Sequence, residues 1–302
     1  MSAEQVGGRG WLEAREVGSV FGIRILLALA TAFGRLPVRL VLYAIALYYT
    51  LTHRLARAAS RDYLRRMGLP SDFRAVFRHV MCFAQCAADR LFLVTGKRAP
   101  FAITRNGHEH LAALQRARRG AILLGAHLGS FEAMHTQAGA ERLVINVVGY
   151  FRNAQMINRV LEELGSDVHA RLLEPGSGID FALRLRDCLE RGEFVAILAD
   201  RTIDEKTVEV DFLGGRAQFP TGPFVLAAAL HCPVLLTFGL YHAPNRYDLY
   251  CEPFAEKLAL PRANREEALR EAVQRYATRL EHYCRLAPYN WFNFYDFWSP
   301  RA

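Results

Sequence analysis

Ala121-Ile122-Leu123-Leu124-Gly125-Ala126-His127-Leu128-Gly129-Ser130-Phe131-Glu132 holds an apolar run, a glycine-bounded turn and an acidic helix start in one stretch. Ala121–Leu124 reads as a short buried strand, and Ser130 is placed as the N-cap of the helix that follows. A strand–turn–helix junction presents its side chains at the edge of a sheet, where the sites of open α/β folds lie. His127 and Glu132 fall five positions apart across it. The imidazole is suited to act as a general base near neutral pH, and the carboxylate in the first helical turn to hold its tautomer and steady its cation. No serine or cysteine nucleophile motif accompanies them, so the base is expected to activate a hydroxyl that belongs to the substrate. His135 extends the pattern to His-x4-Glu-x2-His, which is not the spacing of the His-Glu-x2-His or His-x2-Glu-His metal motifs, and neither a metal nor a cofactor is expected.

Outward from this stretch, strands and helices alternate from about Phe101. Strands are expected at 102–105, 121–126, 143–150, 194–199, 208–212, 234–240 and 247–252. Helices are expected at 107–117, 130–139, 154–164, 178–191, 221–230 and 264–287. The early alternation implies a largely parallel central sheet flanked by helices, and the closer spacing of the late strands implies added antiparallel pairs. The fold class is therefore α/β, with a largely parallel mixed sheet and an N-terminal helical, membrane-associating segment. Residues 1–16 read as a flexible start, 17–95 as that helical segment and 96–302 as the α/β domain. Asp89 and Arg90 read as a local helix pair.

The segment before residue 95 has its own character. Residues 1–16 are polar and glycine-containing, without a signal-peptide pattern. Val20–Phe33 and Val38–Leu51 are apolar blocks separated by Gly34-Arg35-Leu36-Pro37. Each is shorter than the about 20 residues of a spanning helix, which favours helices lying in one leaflet over a buried helical hairpin. Arg54, Arg57, Arg61 and Arg65, joined by Arg66, follow at helical spacing, and their place beside the apolar blocks favours an anionic cytoplasmic surface over a plain solvated helix face. The whole chain of 302 residues is 52% hydrophobic with a formal charge of +8. That balance points to a negatively charged partner, either anionic lipid or an acidic carrier protein. Nucleic acid ranks last because the apolar segment has no role in binding it. The six cysteines show no Cys-x2-Cys pair and read as reduced core thiols.

Five ordered motifs then resemble the bacterial lipid A late acyltransferases, the lauroyl and myristoyl transferases of the lysophospholipid acyltransferase superfamily, over about residues 17–290. They are His127-Leu128-Gly129-Ser130-Phe131-Glu132; Gly149-Tyr150-Phe151-Arg152-Asn153, which lacks the usual proline after Arg152; Ala196-Ile197-Leu198-Ala199-Asp200-Arg201; Phe212-Leu213-Gly214; and Pro220-Thr221-Gly222-Pro223. The C-terminus departs from the family. A Trp-x-His-x-Arg-Phe-Lys-like end is replaced here by Tyr289-Asn290-Trp291-Phe292-Asn293-Phe294-Tyr295-Asp296-Phe297-Trp298, so the chain looks like a divergent branch.

The resemblance implies transfer of an acyl group from an acyl carrier protein or coenzyme A thioester to a hydroxyl of a lipid or glycolipid, at the cytoplasmic face of the inner membrane. It implies a His127–Glu132 dyad. Backbone N–H groups near Gly129 are expected to serve the oxyanion, and Arg152 to supply a fixed cation for it or to bind an acceptor phosphate. Asp200 and Arg201 either line the same cleft or form a structural pair. Thr221, Gly222 and Pro223 open a helix, either as plain capping with Thr221 at the N-cap or as a close backbone approach to phosphate or acyl chain. The rival readings are a lipid esterase that uses His127 with water and a non-catalytic lipid- or carrier-binding membrane module.

Overall fold

The run Ala121–Leu124 lies at the centre of the molecule. A computed structural model of the chain describes residues 28–29, 32–95, 101–140, 143–149, 171–174, 176, 178–201 and 206–298. In it, β2 (Ala121–Gly125) is buried at every position and pairs in parallel with both β5 (Phe194–Leu198) and β8 (Val234–His242). A strand covered on both faces needs apolar side chains at every position, which is why its sequence shows no alternation.

The sheet is completed by β1 (Ala102–Asn106), β3 (Ile145–Val148), β4 (Arg171–Leu173) and β9 (Arg246–Ala255), in the order β1-β9-β8-β2-β5-β3-β4. Among the described strands of this sheet, only the β8–β9 pairing is antiparallel. β6 (Thr207–Phe212) and β7 (Gly215–Pro220) form a separate antiparallel hairpin. The sequence reading missed β4, which is three residues long, and β7, whose inward face rests on little more than Ala217 and Phe219. The expected helix 154–164 lies outside the described residues.

Helices cover both faces. α4 (His108–Arg116) and α5 (Phe131–Ala140) lie over Leu123, Ile145 and Ala196. On the other face α6 (Ile179–Glu190), α7 (Gly222–Leu230) and α8 (Arg265–Leu286) cover Ile122, Leu124, Val195 and Ile197 with Leu185, Phe224, Tyr276 and Leu280. The chain thus leaves β2 for one face and leaves its neighbour β5 for the other. That divergence opens a crevice beyond the carboxyl ends of these two strands.

Three N-terminal helices share the larger core: α1 (Arg35–Thr52), α2 (Arg54–Arg66) and α3 (Phe73–Thr95). The Nε and Nη2 of Arg35 reach Asp89 of α3 at 2.8 and 2.6 Å, and the Tyr247 hydroxyl of β9 donates to the same carboxylate at 2.8 Å. Asp89 is therefore a cross-link between α1, α3 and the sheet, not half of a local pair with Arg90. Val38, Leu42, Ala46 and Thr50 of α1 point inward. The opposite side stays open, with Leu36 71% and Leu40 66% exposed, and Tyr48 and Leu51 beside them. Most of Val20–Phe33 lies outside the described residues, and no described helix is long and apolar enough to cross a membrane. The arginine stripe is not one free face. Arg54 and Arg65 are exposed. Arg57 holds the Thr50 and Leu51 carbonyls at 2.7 and 2.9 Å, and Arg66 holds Asp62 while stacking over Trp298.

Candidate active site

Strand register brings the two key side chains together. Gly125 of β2 lies opposite Leu198 of β5, and Ala199 N–H donates to the Gly125 carbonyl at 3.0 Å. Two residues beyond each strand stand His127 and Asp200. The His127 Nδ1 lies 2.9 Å from Asp200 Oδ1, while the His127 backbone N–H donates to Oδ2 at 3.0 Å. The indole Nε1–H of Trp291 donates to the same Oδ2 at 3.0 Å.

Asp200 is 1% exposed. Burial alone would raise its pKa. The neighbouring imidazole, the Arg201 guanidinium and the donated hydrogen bonds outweigh that and hold it down at about 2. An ionised carboxylate can only accept, so Nδ1 of His127 carries the proton and Nε2 keeps its lone pair. Among the described residues no protein group takes Nε2. Burial and the nearby Arg201 lower the His127 pKa, against the pull of Asp200. The imidazole is then neutral near pH 7, with a base-ready nitrogen at the crevice.

The carboxylate bonded to His127 is therefore Asp200, where the sequence reading placed Glu132. Ser130 explains the difference. Its hydroxyl accepts from Ala133 N–H at 3.1 Å, so it caps α5 and sets Glu132 in the first turn. From there Glu132 meets Arg90 of α3 at 3.0 Å, and Ser130 Oγ lies 3.4 Å from its other oxygen. The expected oxyanion donors are also engaged. The N–H groups of His127, Leu128, Gly129 and Ser130 go to Asp200, Ala126 O, Asn290 O and Gly239 O respectively. Gly129, at φ +70°, is required here because a Cβ would collide with the Gly239 carbonyl.

Arg201 stands beside the pair. Its Nη2 donates to the Phe292 carbonyl at 2.6 Å and its guanidinium lies over the Tyr295 ring. Thr221 occupies the N-cap position of α7, but its hydroxyl turns back to Lys206 O at 3.1 Å and does not cap the helix. Gly222 and Pro223 form the first turn of α7, with open space where a Gly222 side chain would project. Arg152 lies outside the described residues. No cluster of three metal-ligating side chains occurs among the described residues.

A small, partly open cavity of about 70 Å³ lies on the α4–α5 face of the sheet. Leu123, Phe131, Met134, Leu143, Ile145 and Ala196 line it, with Arg105 and His108 also on its wall. Phe131 and Met134 belong to α5, which starts four residues after His127, so the cavity wall and the base share one structural unit.

Sequence reasoning missed the residues that hold the pair from behind. The C-terminal strap Asn290–Phe292 runs antiparallel to His127–Gly129, and Phe292 N–H donates to the His127 carbonyl at 2.8 Å. The Asn290 side chain accepts from Tyr241 N–H at 2.6 Å and donates to Tyr241 O at 3.0 Å. The available signal for Asp200 was that two strands with equal apolar runs end in register. Nothing local marked the strap.

The model of the bacterial lipid A biosynthesis acyltransferase family matches residues 87–299. No curated protein matches the chain.

Proposed function

The chain belongs to the bacterial lipid A biosynthesis acyltransferase family, and from that membership, which gives acyl transfer as the reaction class, we propose how its own residues carry the reaction. The donor is an acyl thioester and the acceptor a hydroxyl of a lipid or glycolipid. His127 Nε2 removes the hydroxyl proton as the oxygen attacks the thioester carbon. The tetrahedral oxyanion collapses with loss of the thiolate, which takes the proton back from the imidazolium. An ester forms and no charge is left behind. Asp200 orients the imidazole and steadies its cation, the part a buried carboxylate plays in hydrolase triads.

The observation that carries this reading is the asymmetric histidine. One ring nitrogen is locked on an ionised, buried carboxylate, and the other, at the sheet edge, has no partner among the described residues. Arg201 is the fixed cation that acts on His127 from within the same crevice, and we assign it to the oxyanion. Glu132, clamped by Arg90, fixes the start of α5 beside the base. Arg152 supplies a further cation for the oxyanion or an acceptor phosphate. Thr221, Gly222 and Pro223 serve as an acceptor-side wall. The apolar lining of the α4–α5 cavity suits an acyl chain. The charge of +8 favours an acidic carrier protein over coenzyme A as the donor.

His127→Ala tests the reaction. Lipid extracts analysed by mass spectrometry should lose the acylated product, with turnover down by several orders of magnitude. Near-normal transfer would end the mechanism, and release of free fatty acid by the parent protein without transfer would favour the esterase.

The same reading places the enzyme on the cytoplasmic face of the inner membrane, with the outward side of α1 in the leaflet and Arg54 and Arg65 near anionic headgroups. Leu40→Glu combined with Leu47→Glu alters only exposed positions. The doubly substituted protein should stay folded and move from the membrane to the soluble fraction after lysis. Unchanged sedimentation with membranes would overturn the placement.

A further inference from the structure

We propose that Trp291 is a positioning residue for the reaction, and that it holds Asp200 against His127 as the last link of a buried relay from the N-terminal helices: Ser60 to His79, His79 to Trp291, Trp291 to Asp200. The proposal rests on His127 and Asp200 acting as the base and its orienting carboxylate.

Every link is a hydrogen bond whose direction the chemistry fixes. The Trp291 carbonyl can only accept, so His79 Nε2, 2.9 Å away, carries a proton. His79 is 0% exposed, and its burial lowers the pKa to about 4, so the ring is neutral and Nδ1 must accept. The Ser60 hydroxyl donates to Nδ1 at 2.8 Å. Trp291 then presents its indole N–H to Asp200 Oδ2 at 3.0 Å. Ser60, His79 and Trp291 are each fully buried, so water cannot replace a lost link.

The indole has no freedom to leave. Tyr63 of α2, Phe212 of the hairpin, and Phe297 meet its ring edge-on at 5.2, 5.2 and 4.9 Å. Its backbone bridges Leu128, and Tyr63 donates to the carbonyl of Pro288 just upstream at 2.8 Å. The aromatic tail that sets this chain apart thus supplies the third donor to the carboxylate, beside the imidazole and the His127 backbone N–H.

A donor to Asp200 spreads the carboxylate charge and moderates the pull of that charge on the imidazolium. Without it, Asp200 becomes the stronger acceptor, the His127 pKa rises and the orientation of the ring loosens. Among the described residues, the charged groups acting on His127 are Asp200 and Arg201. Asp200 also faces the buried, uncharged Tyr276 and Cys284 of α8. His79 is surrounded by Ser60, Tyr63, Phe292 and Phe294, none of them charged.

The test compares pH profiles of acyl transfer in the full-length, membrane-bound enzyme. Trp291→Phe keeps an aromatic ring and removes the N–H. It should lower kcat about tenfold to a hundredfold, as loss of a hydrogen bond to a charged group does. KM should stay within about twofold, and the acid limb of kcat/KM should move to higher pH. Trp298→Phe removes an indole N–H from the same aromatic cluster, where its partner is Phe212 O. It should lower Tm and leave the limb in place.

If Trp291→Phe does not fold, His79 supplies the second arm. His79→Gln can keep a donor to the Trp291 carbonyl and should retain the parent limb, whereas His79→Leu should move it upward. An unmoved limb in Trp291→Phe, or equal behaviour of His79→Gln and His79→Leu, overturns the relay. Retained transfer by His127→Ala would instead remove the reading beneath it, so the two failures are distinct.

Discussion

His127 and His79 are each held by hydrogen bonds at the imidazole ring, yet they do opposite work. His127 donates from Nδ1 to an ionised carboxylate, and its Nε2 has no protein partner among the described residues. His79 accepts at Nδ1 from Ser60 and donates from Nε2 to a carbonyl, so no ring atom remains free. The first lies at a sheet edge, 29% exposed in its side chain; the second is sealed between helices and the C-terminal strap. A base needs a fixed tautomer and an open lone pair, whereas a strut needs every polar atom matched. Hydrogen bonding and exposure, not sequence position, set the two apart.

Asp200→Asn would cost the most, because it changes what His127 Nδ1 meets. The amide can present a donor to Nδ1, which favours the wrong tautomer and leaves Nε2 protonated and unable to take the hydroxyl proton. Turnover should fall on the order of 10³–10⁴, as tautomer reversal does in triads, while binding of the donor stays close to normal. A pre-steady-state burst assay together with a donor-binding measurement separates the two. Activity within about tenfold of the parent would show that Asp200 does not govern His127.

A smaller effect is expected at Glu132, because its partner is Arg90. Glu132→Ala should tilt the start of α5 and cost about 10², the scale of a small misplacement of reacting groups. Arg90→Ala should cost a similar amount, and the double variant little more than either single one, because the pair acts as a unit. If Glu132→Ala equals His127→Ala in severity while Arg90→Ala is silent, Glu132 acts on the reaction directly.

Much of this arrangement was legible in the residues. The apolar runs at Ala121–Leu124 and Phe194–Leu198 gave both central strands, and His127 and Asp200 were each marked as strand-end residues. Their contact was not legible, because it depends on which strands are neighbours and on a register that puts Gly125 opposite Leu198. Glu132 was the nearer carboxylate in sequence, but the Ser130 cap and the position of Arg90 decide where its side chain goes. The strap was the least legible part. Asn290–Phe292 lies more than 160 residues from His127 in the chain and reads as one aromatic stretch among several. The outward side of α1 was foreseen as apolar, whereas the arginines beyond it were foreseen as one free face and are partly engaged in capping α1 and packing on Trp298.

At His79 the expected effect is on stability. A strut histidine held neutral at about 4 in the fold, against 6.5 when unfolded, binds its proton more readily once the chain opens. The unfolded state therefore takes up protons first as pH falls, and the stabilisation from a neutral His79 is complete above 6.5 and lost between 6.5 and about 4. At about 1.4 kcal/mol per unit, the whole shift corresponds to about 3 kcal/mol. His79→Gln removes the titration while keeping a donor for Trp291. Its Tm should be close to the parent's at pH 7.5 and should fall less steeply than the parent's between pH 6.5 and 4.5. His127 contributes in the same direction, since its pKa is also lowered, so the comparison is the difference between the two proteins and not the slope of either. Parallel Tm curves across that window would mean that His79 is not held neutral by burial, and the distinction between base and strut would then rest on hydrogen-bond geometry alone.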